Sequence, residues 1–101
     1  MAIRTEKVSD NEVVITLDKT FDFNSVEEFR RAYDNKEEEE KIHYLVDFKY
    51  TQYVDSSALG MLINLQKTAG ARGGNVKLAN PSEQLKKLFA ISRFDKKFTI
   101  Q

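Results

Sequence analysis

The chain has 101 residues, no cysteine and one histidine, and its sixteen basic residues balance its sixteen acidic ones. At this length folding removes roughly 60–65% of the extended chain's surface from water, so the core needs no disulfide or metal to hold it. The charge balance leaves no global field to draw the chain onto nucleic acid or anionic lipid. The missing thiols fit a reducing compartment. The opening run MAIRTEKVSDNE contains no apolar signal region and no stretch reaches the length of a membrane span. The expectation is therefore one domain over residues 1–101, cytoplasmic and unprocessed, with no membrane association.

Ile3 to Val8 and Val13 to Leu17 are rich in β-branched residues and flank the polar turn Ser9-Asp10-Asn11-Glu12, which predicts a hairpin. Ser25 and Glu28 have the spacing of a capping box, and Val26, Phe29 and Tyr33 follow at helical spacing, predicting a first helix of about three turns. Lys36, Glu37 to Glu40 and Lys41 form a charge run of the kind found at solvated helix ends and loops. Ile42 to Phe48 is mostly apolar, as expected of a central strand covered on both faces.

After the polar-aromatic loop Lys49 to Val54, the residues Leu59, Leu62, Ile63 and Gln66 mark one side of a second helix, with Ala58, Met61 and Leu65 adjoining. Gly70, Gly73 and Gly74 stop it. Val76 to Ala79 is a short strand. Asn80-Pro81, with Glu83, has the pattern of a third helix start, and Leu85, Leu88 and Phe89 supply its stripe. Phe98 to Ile100 suits a last strand. The order β-β-α-β-α-β-α-β predicts an α/β fold: a mixed, largely parallel sheet of about five strands with three helices, the hairpin adding an antiparallel edge.

In such sheets chemistry collects where a strand's carboxyl end turns into a helix. That place here is Asp55-Ser56-Ser57-Ala58-Leu59-Gly60. The residues alone leave two readings open. Asp55, Ser56 and Ser57 can simply cap the helix, because short oxygen-bearing side chains satisfy its free N–H groups. Alternatively, the second hydroxyl and the small residues Ala58 and Gly60 suit an accessible anion-tolerant surface, where a phosphate would sit at the positive end of the helix dipole.

Other chemistries find little support. A hydrolase elbow, Gly-x-Ser-x-Gly, is absent, and His43 lies at the start of the preceding strand, far from the serines, as an edge or surface residue. One histidine and no cysteine give no metal set, and Gly70-Ala71-Arg72-Gly73-Gly74 follows a helix where a phosphate loop would precede one. No cofactor and no catalysis are expected. Tyr50, Tyr53, Phe21 and Phe23 flank the helix start as candidate partner anchors, although Phe23 and one tyrosine also suit a core.

Taken with the hairpin, Phe21-Asp22-Phe23, Tyr44 to Phe48, Val54 to Gly60, Gly73-Gly74 before Val76-Lys77-Leu78, and Leu88-Phe89, the chain resembles the STAS-domain anti-sigma-factor antagonists of bacterial partner-switching systems. The resemblance spans nearly the whole sequence. That family's motif is Asp-Ser-Ser/Thr-Gly-Leu-Gly, with the phosphoacceptor directly after the aspartate, which is Ser56 here. Ala58 stands in place of the motif's glycine, and Thr20 and Arg93 occupy positions where relatives often carry glycine.

The resemblance implies a non-enzymatic binding module whose unphosphorylated form engages an anti-sigma factor that is also a serine kinase. Phosphorylation of Ser56 would end that binding and a PP2C-type phosphatase would restore it. Asp55, Ser57, Ala58, Gly60, Tyr53 and Phe23 would form the surrounding partner surface, on a chain monomeric when free. The alternative is a constitutive STAS interaction subunit, for example of a transporter, in which the Asp-Ser-Ser segment is only a cap.

Overall fold

The computed structural model describes residues 3–33 and 41–101; the Glu37 to Glu40 charge run lies outside them. Strands β1 (Arg4–Ser9) and β2 (Glu12–Thr16) form the expected antiparallel hairpin, with an irregular register between Lys7 and Ser9. β3 (Thr20–Phe21) leads through a 3-10 turn, Phe23–Ser25, into helix α1 (Val26–Tyr33). Then follow β4 (His43–Asp47), β5 (Tyr53–Val54), α2 (Ser56–Ala71), β6 (Val76–Ala79), α3 (Glu83–Ile91), a 3-10 turn at Phe94–Lys96 and β7 (Thr99–Ile100). The main sheet has the order β1-β2-β4-β6-β7, and every pairing after the hairpin is parallel. This is the α/β architecture expected.

One face of that sheet carries the core. Val13, Ile15, Tyr44, Val46, Val76 and Leu78 are buried with Phe29, Leu62 and Phe89 from the helices. Their alternates Val14, Thr16, His43 and Leu45 are only half-buried, and Glu12 and Lys77 are exposed. β4 is therefore covered on one face, which corrects the expectation of two covered faces. Its apolar run reads as a fully buried strand because Leu45 lines a shallow apolar groove, with Val8 and Val14, on the open side.

Helix boundaries show which local bonds prevail. The capping box at α1 belongs to Asp22 and Ser25: Ser25 Oγ accepts from the Asp22 N–H and is fully buried. Glu28 is not used there; its Oε2 accepts from the Ile3 N–H at 3.1 Å. The inward stripe of α2 is Ala58, Met61, Leu62, Leu65 and Ala69, rotated from the Leu59-Leu62-Ile63-Gln66 side expected; Leu59 and Ile63 are partly buried against the core.

α2 runs through Gly70 to Ala71, so of the three expected glycines it is Gly73 and Gly74 that end it. Gly73 takes φ +85, its N–H donates to the Gly70 carbonyl, and the Gly74 N–H donates to the Ala69 carbonyl at 2.8 Å, a Schellman closure. At α3 the cap is Ser82, whose Oγ accepts from the Leu85 N–H at 3.1 Å, and not Asn80. Asn80 instead adopts φ 57 and donates its side-chain N–H to Asp47 Oδ1 at 3.0 Å, tying the end of β6 to the end of β4. Buried Asp47 also accepts from the Lys49 N–H at 3.0 Å, which anchors the chain as it leaves β4 toward β5.

Candidate functional site at the start of the second helix

The loop read from sequence as Lys49 to Val54 contains the element that builds the site. β5 pairs in parallel with β3, Thr20 opposite Tyr53 and Phe21 opposite Val54, as a separate two-stranded sheet. The Gln52 and Tyr53 N–H groups donate to the Lys19 carbonyl at 2.7 and 3.1 Å, and the Asp55 N–H donates to the Phe21 carbonyl at 3.4 Å. Buried Thr51 donates its hydroxyl to the Asp18 carbonyl at 2.8 Å. Parallel strands leave a sheet at the same end, so the two helix starts that follow, each capped by an aspartate, lie side by side.

Asp55 is the N-cap of α2, in extended backbone at φ −105 and ψ −179. Its Oδ1 accepts from the Ala58 N–H at 2.9 Å and its Oδ2 from the Phe23 N–H at 3.1 Å. Ser56 and Ser57, the first two residues of the helix, are both exposed. No acidic side chain lies within the first turn, so Asp55 is the anionic complement to that end of the helix dipole.

Around the serines the residues separate by accessibility. Phe23 is 70% exposed, Tyr50 57% and Tyr53 56%. All three are therefore surface residues, which corrects the core placement considered for Phe23 and one tyrosine. Phe21, by contrast, is fully buried with its ring 4.9 Å from that of Phe29. Gly60 is exposed, and a Cβ placed there would meet nothing within 4 Å. Ala58 is fully buried and contributes to the site through its N–H, so its methyl lies away from the accessible surface.

His43 sits at the amino end of β4, half-buried in the middle strand of the sheet and not at a sheet edge, with Nδ1 2.8 Å from Asn75 Oδ1. The serines follow the opposite end of that strand, so the geometry offers them no histidine base. Among the described residues no cluster of three or more His, Asp or Glu side chains could hold a metal ion, and no helix is long and apolar enough to cross a membrane. What sequence reasoning missed is β3–β5 and the Asp55–Phe23 bond; the Phe21-Asp22-Phe23 and Tyr53-Val54-Asp55 triplets, each a capping aspartate directly after apolar or aromatic residues, are the only signal of them.

The family model of the STAS domain matches residues 2–101, and the chain belongs to that family. The chain is similar to a STAS-domain containing protein, PA14_20770, of Pseudomonas aeruginosa (strain UCBPP-PA14), 39% identical over 99% of each. Among solved structures it resembles the Bacillus cell fate determinant SpoIIAA in its phosphorylated form, at 25% identity and a TM-score of 0.78, covering 99% of this chain and 91% of that one. The fold is shared as well with a sulfate transporter family protein from Wolinella succinogenes, at 17% identity and a TM-score of 0.76 over 91% of this chain and 75% of the other.

Proposed function

We propose that this chain is a cytoplasmic anti-sigma-factor antagonist, a single STAS domain that binds its partner when unphosphorylated and lets go when Ser56 is phosphorylated. The observation that carries the reading is the exposed Ser56 hydroxyl directly after the Asp55 cap, flanked by the exposed rings of Phe23 and Tyr53. The similarity to SpoIIAA, solved in a phosphorylated form, supports it. A kinase reaches the first residue of a helix without unfolding it. A phosphate there adds about −1.5 to −2 charges at an end that tolerates anions, so the fold survives.

The interface does not survive. An aromatic-rich surface closes on its partner by excluding water, and a dianion in its midst must be desolvated without a counter-charge. Each 1.4 kcal/mol of that penalty weakens binding about tenfold. Phe23 and Tyr53 supply the anchoring area, Gly60 and Ser57 allow close approach, and Asp55 holds the start of the helix. The protein takes no part in catalysis; Ser56 is the substrate of a serine kinase that is also the anti-sigma factor, and of a PP2C-type phosphatase.

The second reading, a constitutive STAS subunit, draws on the likeness to the transporter family protein. One experiment separates them. The protein is incubated with ATP and the serine kinase encoded nearest its gene, and its intact mass is measured. A gain of one phosphate, lost in Ser56→Ala, supports the switch. No gain, or a gain that persists in Ser56→Ala, overturns it.

A further inference from the structure

Capping alone does not explain why residue 55 is an aspartate. Ser, Thr, Asn and Asp all cap helices well, because one side-chain oxygen suffices to take the N–H three residues on. Asp55 uses both of its oxygens. Oδ1 closes the first turn of α2 at Ala58, and Oδ2 reaches across 32 residues of sequence to the Phe23 N–H. Serine and threonine have a single oxygen at that reach, and asparagine would present an N–H group to one of the two N–H donors. Only aspartate satisfies both at once.

The second bond lands on a residue with its own anomaly. Phe23 is the largest fraction exposed of the site's aromatics, on a 3-10 turn of only three residues. The turn's cap, Asp22, takes the Asn24 N–H, so Asp55 is the acceptor for the Phe23 N–H. An exposed ring on a short turn binds a partner well only if its direction is set beforehand, since ordering it on contact costs affinity.

Resting on the partner-binding reading above, we propose that Asp55 is a positioning residue for recognition: it latches the Phe23 turn to the start of α2, so that the Phe23 ring and the Ser56 hydroxyl meet the partner as one preformed unit. The partner this fits is a protein surface with an apolar pocket for the ring beside a space only as large as an unmodified serine. The latch also explains how one residue can be both a helix cap and a determinant of binding.

The test uses Asp55→Ser, which keeps the cap and removes the second oxygen. Amide hydrogen exchange followed by NMR reads the latch without any partner. In the variant the Phe23 amide should exchange about tenfold faster, as expected for losing a hydrogen bond to a charged acceptor, while the Ala58 amide keeps its protection. Affinity for the kinase used above is then measured for Asp55→Ser, Phe23→Ala and the double variant. If Asp55 acts through Phe23, the double variant binds no more weakly than Phe23→Ala.

An unchanged Phe23 amide, or penalties that add, overturns the latch. If Ser56→Asp blocks binding while Phe23→Ala and Asp55→Ser leave it intact, the phosphorylation reading stands and the positioning role falls. If Ser56→Asp binds like the wild type, the phosphorylation reading itself falls, whatever the amides show.

Discussion

Tyr44 and Arg93 show the fold carrying local costs that single substitutions can remove. Tyr44 Oη is the one buried side-chain polar atom among the described residues with no hydrogen-bond partner. Burial pushes its pKa up, the nearby Arg72 guanidinium partly offsets this, and Tyr33 adds to it. Its folded pKa therefore lies above the unfolded value, so stability is undiminished below about pH 10 and falls as pH rises past it. Tyr44→Phe should raise stability by about 0.5–1.5 kcal/mol in urea unfolding at neutral pH and flatten the alkaline decline. Arg93 holds φ 61 just past the end of α3, a conformation that glycine adopts without strain. Arg93→Gly should therefore add up to about 1 kcal/mol, seen as a melting temperature higher by about 4–8 °C. That position was legible in the sequence only as a departure from a resembling family's glycine; its backbone angle supplies the cause.

At the scale of elements, glycine at two places in and after α2 has opposite meanings. A Cβ on Gly74 would lie 1.9 Å from the Ile42 carbonyl oxygen, so the turn into β6 and the start of β4 could not both keep their places. Gly74→Ala should destabilise by about 2–3 kcal/mol or more, measured by denaturant unfolding. Gly60 sits inside α2 with open space around it, and Gly60→Ala should stabilise by about 1 kcal/mol while weakening partner binding. Separate measurements of unfolding and affinity would show the two effects moving in opposite directions. The long elements were readable because Phe29 and Tyr33, or Leu62 and Leu65, repeat at helical spacing and the hairpin has a polar turn. β3 and β5 were not, since two residues cannot display a period. The box at α1 was misplaced because Ser25 and Glu28 fit the same spacing; burial of the Ser25 hydroxyl decides for Asp22. The site was half legible: the Asp-Ser-Ser segment announces a helix start, but residues 20–23 signal that they lie against it only through the Phe21-Asp22-Phe23 triplet.

For the whole molecule, seven of the buried aromatic rings, all but Tyr44, form one connected path. It runs from Tyr33 to Phe29, Phe21, Phe48, Phe89, Phe94 and Phe98, each ring within 6.4 Å of the next between centroids. Phe48 joins the α1 half of this path to the α3 half. Phe48→Ala should cost about 3–5 kcal/mol in chemical denaturation. A smaller loss would mean that the two halves are held together chiefly by the sheet. The strand order has a further consequence, for the birth of the chain. Read along the sheet, β1, β2, β4, β6 and β7 appear in the sequence order in which they are made. No strand has to be inserted between two that already pair, so a nascent chain can lay each new strand on the growing edge as it leaves the ribosome. That edge stays open until Gln101 emerges, whose N–H donates to the Leu78 carbonyl and whose carbonyl accepts from the Asn80 N–H. The segment that carries Ser56 is thus synthesised before β6 and β7 complete the sheet.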